Sequence, residues 1–312
     1  MSFRFPGARQ GPLVSSDPDE ESTDVTLGKL KAEWEDLLER RPSFHAPLSV
    51  CGDILDLWAR WSATRLSPLS WTAAECRERW ERGVPLLAEA PAPIGADEIE
   101  DLLGALMERI AELRQRAAPE LQRLAEAWDR GAIRPHAFFP VPGRIGSGLV
   151  EETSGLAPEL VALLAYGSLR PALDVYFASV RAHLNEDAWR LAACPFCGGP
   201  AGFSDVLEDG RRRLACHLCG GGWIYSRVKC PFCGTESAQD LVRLEPETVD
   251  QGYLLIACKH CHMYVKELDR RVRWNAQSAL IEDWGSPHLD LVGERAGYGR
   301  PAPAPLSALC RG

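Results

Sequence analysis

The sequence predicts an α+β protein: an N-terminal all-α domain, then two small tandem β modules closed by cysteines, then a C-terminal helical segment. Three observations predict it. Apolar residues recur at spacings of 3 and 4 through much of the region before residue 190. Four Cys-x-x-Cys pairs then fall within the 68 residues from Cys194 to Cys261. β-rich runs lie between those pairs, and a helical pattern returns after Arg273.

Residues 1–26 read as disordered, because Gly, Pro and Ser mix with the acidic run Asp17–Asp24 and leave little to bury. Residues 27–190 read as a helical domain of about six helices. Leu30, Trp34, Leu37 and Leu38 mark the first, and Leu55, Trp58 and Trp61 the second, with Pro42 and Pro47 between them. A piece over 70–81 carries Trp71 and Trp80. A long helix runs from about Ala96 to Arg130, with a break near Pro119; Ile99, Leu102, Leu103, Leu106, Ile110 and Leu113 form its apolar stripe, which reads as bundle core. Residues 132–148, rich in Pro, Gly and aromatics, read as an ordered connection. Two helices follow, over 158–166 and 169–184.

The cysteine region divides at 228/229 into modules spanning 191–228 and 229–274. Cys-Pro-Phe-Cys-Gly occurs at 194–198 and again at 230–234, an internal repeat. Each copy is followed by a plainer pair, Cys216/Cys219 and Cys258/Cys261. Two Cys-x-x-Cys turns make one closed tetrahedral site. The expected quartets are therefore Cys194, Cys197, Cys216, Cys219 and Cys230, Cys233, Cys258, Cys261. Strands are expected over 212–215, 222–228, 252–257 and 263–266, and strands between metal knuckles make a rubredoxin-like or zinc-ribbon module. Gly198, Gly220 and Gly234 follow three of the pairs, and His262 takes that place in the fourth. Residues 275–312 read as a helix over 276–284, a second short helix from Pro287, and an extended tail.

Rival chemistries fit less well. A disulfide within Cys-x-x-Cys closes a small loop and constrains the unfolded chain little. Thioredoxin-like exchange needs one pair, not four in a repeat. Cys51, Cys76 and Cys310 stand alone and read as packed or tail thiols. Sites closed by four cysteines leave no position for a substrate, and no P-loop, nucleophile elbow or dinucleotide fingerprint occurs, so no enzyme is expected. His217 and His260 sit inside Cys-x-x-Cys turns and cannot easily fold back onto the same ion, and most of the seven histidines read as surface residues; His262 is the one to weigh as an alternative ligand. The net charge of −9 and a near-balance of charge over 194–274 argue against nucleic acid, and Arg211–Arg213 read as a solvated hairpin tip. No membrane span and no leader run are read from the apolar pattern, which suits a reducing cytoplasm.

The motifs Cys194–Gly198, Arg212–Cys219, Arg227–Cys233 and Cys258–Lys266 come in the order of the formate dehydrogenase accessory protein family, FdhE, and the chain resembles it there. Leu289-Asp290 and Glu294–Arg300 extend the resemblance, while Pro301–Pro305 departs from the family's ending. The resemblance implies a cytoplasmic maturation factor or chaperone. Such a factor binds the formate dehydrogenase catalytic subunit through rubredoxin-like modules carrying two metal ions, with iron favoured over zinc. A rubredoxin-like electron carrier and a zinc-ribbon nucleic-acid binder are the alternatives.

Overall fold

The computed structural model describes residues 21–45, 48–61, 66–185, 188–246, 251–273 and 275–310. Among them the chain forms eleven α-helices and one six-stranded sheet, in the expected α+β order of helices, cysteine-bearing strands and helices. The first helix, α1 (Glu21–Arg40), begins inside the stretch read as disordered; residues 1–20 of that stretch lie outside the described residues.

The helical body continues with α2 (Ser49–Arg60), α3 (Ala73–Glu81), α4 (Leu86–Glu89), α5 (Ala96–Leu113), α6 (Ala118–Asp129), α7 (Leu149–Ser154) and α8 (Pro158–Phe177). Thr72 and Glu75 form a reciprocal capping box that starts α3. The α5 stripe is buried through Ile110, and Leu113 ends it exposed. The helix expected to run to Arg130 stops at Leu113; a 3-10 turn follows, and Pro119 sits in the first turn of α6, where its missing N–H costs nothing.

Helix α8 is the axis of the body. It is buried along nearly its whole length, and it replaces two expected helices. Pro171 lies inside this helix and cannot donate to the carbonyl of Gly167. In the fold, Trp58 Nε1 donates to that carbonyl at 2.7 Å, so the helix passes through the proline with its backbone satisfied. Gly167 also lets α5 approach, since a Cβ there would lie 2.6 Å from Leu106. The segment 158–183 is long and apolar enough to cross a bilayer, which the sequence reading did not expect, but 94% of its apolar window is buried in the body, as a core helix is.

The strands are β1 (Phe203–Val206), β2 (Arg212–Ala215), β3 (Gly222–Tyr225), β4 (Leu241–Leu244), β5 (Tyr253–Cys258) and β6 (Met263–Asp269). β1 and β4 were not expected: neither adjoins a cysteine pair, where the other strands were read. The order is β3-β2-β1-β6-β5-β4. All neighbours are antiparallel except β1 and β6, which pair in parallel at Ser204↔Glu267, Asp205↔Leu268 and Val206↔Asp269. The two cysteine modules are thus halves of one sheet.

Helices α9 (Ala279–Trp284) and α10 (Pro287–Arg295) close over this sheet, and α11 (Pro305–Cys310) returns to the helical body. The tail expected to be extended is packed instead. Ala302 and Ala304 are buried, and Tyr166 donates its hydroxyl to the Pro303 carbonyl at 2.8 Å. Alternating Pro and Ala gives a stiff, narrow, apolar strap that fits between α8 and its neighbours.

Candidate metal centres

All four Cys-x-x-Cys turns have the same backbone. The residue after the second cysteine donates its N–H to the first cysteine's carbonyl: Gly198 to Cys194 and Gly220 to Cys216 at 2.9 Å, Gly234 to Cys230 at 3.1 Å, and His262 to Cys258 at 2.9 Å. That residue needs a left-handed backbone, with φ of +80°, +76°, +74° and +56° in turn. His262 is the single non-glycine residue with positive φ among the described residues. Its ring stacks on Tyr298, with centroids 6.2 Å apart, and it joins neither cysteine cluster.

The turns bring the eight cysteines together as two quartets, Cys194/Cys197/Cys216/Cys219 and Cys230/Cys233/Cys258/Cys261, the grouping expected from the repeat. Within each quartet every sulfur lies within 4.8 Å of the others. Closest approaches are 3.5 Å for Cys194–Cys219 and Cys197–Cys216, and 3.7 Å for Cys230–Cys261 and Cys233–Cys258. A disulfide needs about 2.05 Å, so these are separate thiols. A tetrahedron of sulfurs about 2.3 Å from a central ion has edges of about 3.8 Å, which is the spacing found. The donor set therefore fits two metal ions, and four soft thiolates suit iron or zinc. Backbone amides reach the sulfurs too: Gly199 donates to Cys197 and Phe232 to Cys230, both at 3.4 Å.

The two quartets have different surroundings. The first is bedded in the helical body, and all four cysteines are buried. Trp80 Nε1 donates to the Pro195 carbonyl at 3.0 Å, Leu86 N–H to the same oxygen at 3.1 Å, and Leu87 N–H to Phe196 at 2.8 Å. Phe196 packs on Trp80 and Phe177. Arg170 donates to the His217 carbonyl at 3.0 Å, and Arg181 reaches the Cys219 carbonyl. Burial pushes the Cys194 and Cys197 thiols well up. Burial works the same way on Cys219, but hydrogen bonds from the other three sulfurs and the nearby Arg181 guanidinium hold it well below the ordinary thiol range. The second quartet sits at the margin of the sheet, with Cys233 exposed and Cys261 half-buried. Burial moves Cys230 up to about 11. Cys233, little buried and hydrogen-bonded by the Thr235 amide and His260, is brought down to about 7.

Behind the first quartet lies a buried charge network that the sequence reading missed. His217, expected only not to ligate the ion of its own turn, is 5% exposed, and its Nε2 stands 3.0 Å from Asp283 Oδ2. Burial lowers the imidazole below its usual range, so the neutral ring donates Nε2–H to the carboxylate. Arg300 contacts Asp283 at 2.7 and 3.0 Å and Asp290 at 3.0 Å. Lys266 Nζ lies 2.7 Å from Asp290 and 3.3 Å from Asp283, and the Tyr264 hydroxyl donates to Asp290 at 2.7 Å. Two cations thus balance two anions out of water. Burial alone would raise both carboxyls; Arg300 and Lys266 instead hold Asp283 well below the carboxylate range, and Lys266 and Arg300 bring Asp290 down as well. The signal was present in the Tyr264-x-Lys266, Asp290 and Arg300 motif residues, which had been read for resemblance and not for charge balance. Arg212 is also buried, ion-paired with Glu267 at 2.8 Å, so Arg211–Arg213 are not uniformly solvated. Cys51 and Cys76 are buried in the helical body, away from both quartets.

No family model matches the chain. It is 32% identical over 166 residues to the FdhE homolog of Pseudomonas putida, a match covering 50% of each, so the chain spans about half the length of the curated relative it matches. The crystal structure of the FdhE protein from Pseudomonas aeruginosa superposes with a TM-score of 0.59 at 22% identity, over 91% of this chain and 96% of that one. The fold is that of an FdhE protein. The resemblance to FdhE read from the cysteine motifs thus holds in sequence and in architecture, and it extends into the helical body, where the sequence had shown only a general likeness.

Proposed function

We propose that the chain is a cytoplasmic, non-enzymatic accessory protein in formate dehydrogenase maturation. In this reading it binds the dehydrogenase catalytic subunit through a platform of two metal-closed modules. The observation that carries it is the pair of sulfur tetrahedra in an FdhE fold, one quartet sealed in the body and one at the surface. Cys194, Cys197, Cys216 and Cys219 hold the first ion, and Cys230, Cys233, Cys258 and Cys261 the second. Iron is the favoured metal, with zinc the alternative, and iron in such a site would supply one-electron chemistry. The residues themselves do the positioning. Arg170 and Arg181 anchor the Cys216 turn to α8 and its extension, and His217 ties that turn to the Asp283 network. The closed quartets leave no open ligand position, which suits a platform better than a catalyst.

The exposure of Cys233 also favours a second reading, an electron carrier whose surface site exchanges electrons with a partner. A pull-down of tagged catalytic subunit with anaerobically purified protein separates these readings. The platform reading expects capture of the subunit by the metal-loaded protein, whether zinc or iron, and loss of capture in Cys230→Ala/Cys233→Ala. Capture that survives loss of the second metal contradicts the platform. Capture with iron but not with zinc favours the carrier.

A further inference from the structure

The two modules repeat one strand order, and the repeat leaves one position unfilled. Counted from the second cysteine pair of each module, β3 is the counterpart of β6, and Tyr225, Ser226 and Arg227 are the counterparts of Glu267, Leu268 and Asp269. The outer edge of β6 is occupied, because β1 pairs with it in parallel at Glu267, Leu268 and Asp269. β3 is the terminal strand of the sheet, and among the described residues it pairs only with β2. An unpaired strand edge offers a row of N–H and C=O groups to any extended chain. The molecule thus already contains one copy of the contact that the β3 edge lacks.

The surroundings of that edge define what fits it. Two adjoining grooves of about 490 and 220 Å³ share Trp189 and Ile224 and reach from the segment around Trp189 across β3 to Arg211, Arg212 and Arg213 on its paired side. Their described lining includes Arg181, Arg190, Arg211, Arg213, Arg227 and Lys229 and no Asp or Glu, on a chain with 44 acidic and 35 basic residues. Some of these cations have acidic neighbours outside the grooves, as Lys229 has Glu236 and Arg211 has Asp209. The aromatic rings there offer no stacking platform for bases, since Trp189, Trp223 and Tyr225 are only 2%, 3% and 5% exposed. A basic trough along an open strand, without exposed rings, matches an acidic polypeptide better than a nucleic acid.

We propose that the open edge of β3 binds an extended acidic segment of a partner polypeptide, which joins the sheet in parallel as a seventh strand. Backbone pairing supplies the register, and carboxylates at alternate positions meet the guanidinium groups of the trough.

The test uses the full metal-loaded chain and a fluorescein-labelled peptide of alternating Glu and Thr, followed by fluorescence anisotropy. Saturable binding that weakens with added salt is expected. Arg190→Glu/Arg227→Glu should bind about tenfold more weakly or worse. Arg243→Glu, on β4 at the far end of the sheet, should bind like the wild type. A peptide in which Pro replaces one Thr and the adjoining Glu, so that one proline falls on the bonded side in either register, should bind much more weakly. In the wild type the bound peptide should slow amide exchange over 222–227, a readout that does not depend on any variant folding. The proposal is overturned if the wild type does not bind, if charge reversal or Pro leaves the affinity unchanged, if exchange over 222–227 is unaffected, or if an oligo-dT strand binds more tightly than the peptide.

Discussion

Asp290 accepts from Tyr264 and Arg300 and lies 2.7 Å from Lys266 in a space closed to water, where Asp283 is the other carboxylate facing both cations. Removing the Asp290 charge leaves two buried cations, Lys266 and Arg300, to share the one carboxylate of Asp283, and breaking such a buried ion set costs about 3–5 kcal/mol. Asp290→Asn should lower stability by about that amount in urea unfolding, whereas Tyr264→Phe, which removes one hydrogen bond, should cost only about 1 kcal/mol. The pH dependence follows from the same residue. Its folded carboxyl is held below the value it has in the unfolded chain, so the unfolded state takes up a proton first as pH falls. The stabilisation is full above about pH 5 and is lost as pH falls through about 4 and below. The stability gap between wild type and Asp290→Asn should therefore narrow from pH 7 to pH 3.5. A gap that widens would contradict the assignment.

At the level of elements, α8 and the knuckles carry the argument. If Trp58 Nε1 sustains α8 through Pro171, then Trp58→Phe keeps the ring but leaves the Gly167 carbonyl buried and unpaired. That should cost about 1–3 kcal/mol by chemical denaturation, more than a ring substitution of similar size elsewhere in the core. The two knuckle pairs should differ in lability, because one quartet is buried under α3, α4 and α8 while the other exposes Cys233. Challenge with EDTA should remove one ion quickly and the other slowly, with Cys230→Ala abolishing the fast phase. A single phase for both would show that the burial difference has no effect on release. The elements also show what was legible in advance. Helical spacing placed α1, α2, α5 and α10, and the Cys-x-x-Cys spacing placed all four knuckles and their pairing. That α8 runs unbroken through Gly167 and Pro171 was not legible, because the partner that satisfies the Gly167 carbonyl lies 109 residues away in sequence. β1 and β4 were missed because, unlike the other four strands, they do not adjoin a Cys-x-x-Cys turn.

For the molecule as a whole, the two modules expected from the repeat join into one sheet, which the sequence did not announce. Nothing local announces the parallel β1–β6 pairing, since it depends on how the two halves meet. The buried charge network was illegible for the same reason: His217, Lys266, Asp283, Asp290 and Arg300 come from a knuckle, a strand, two helices and the strap before α11. The account as a whole rests on eight thiolates closing around two ions. Native mass spectrometry of anaerobically purified protein tests this most directly. It should show two ions per chain with no disulfides, one ion lost in Cys194→Ala, the other in Cys258→Ala, and both in the double variant. A chain carrying no metal, or one whose single ion is lost equally in either variant, would contradict it.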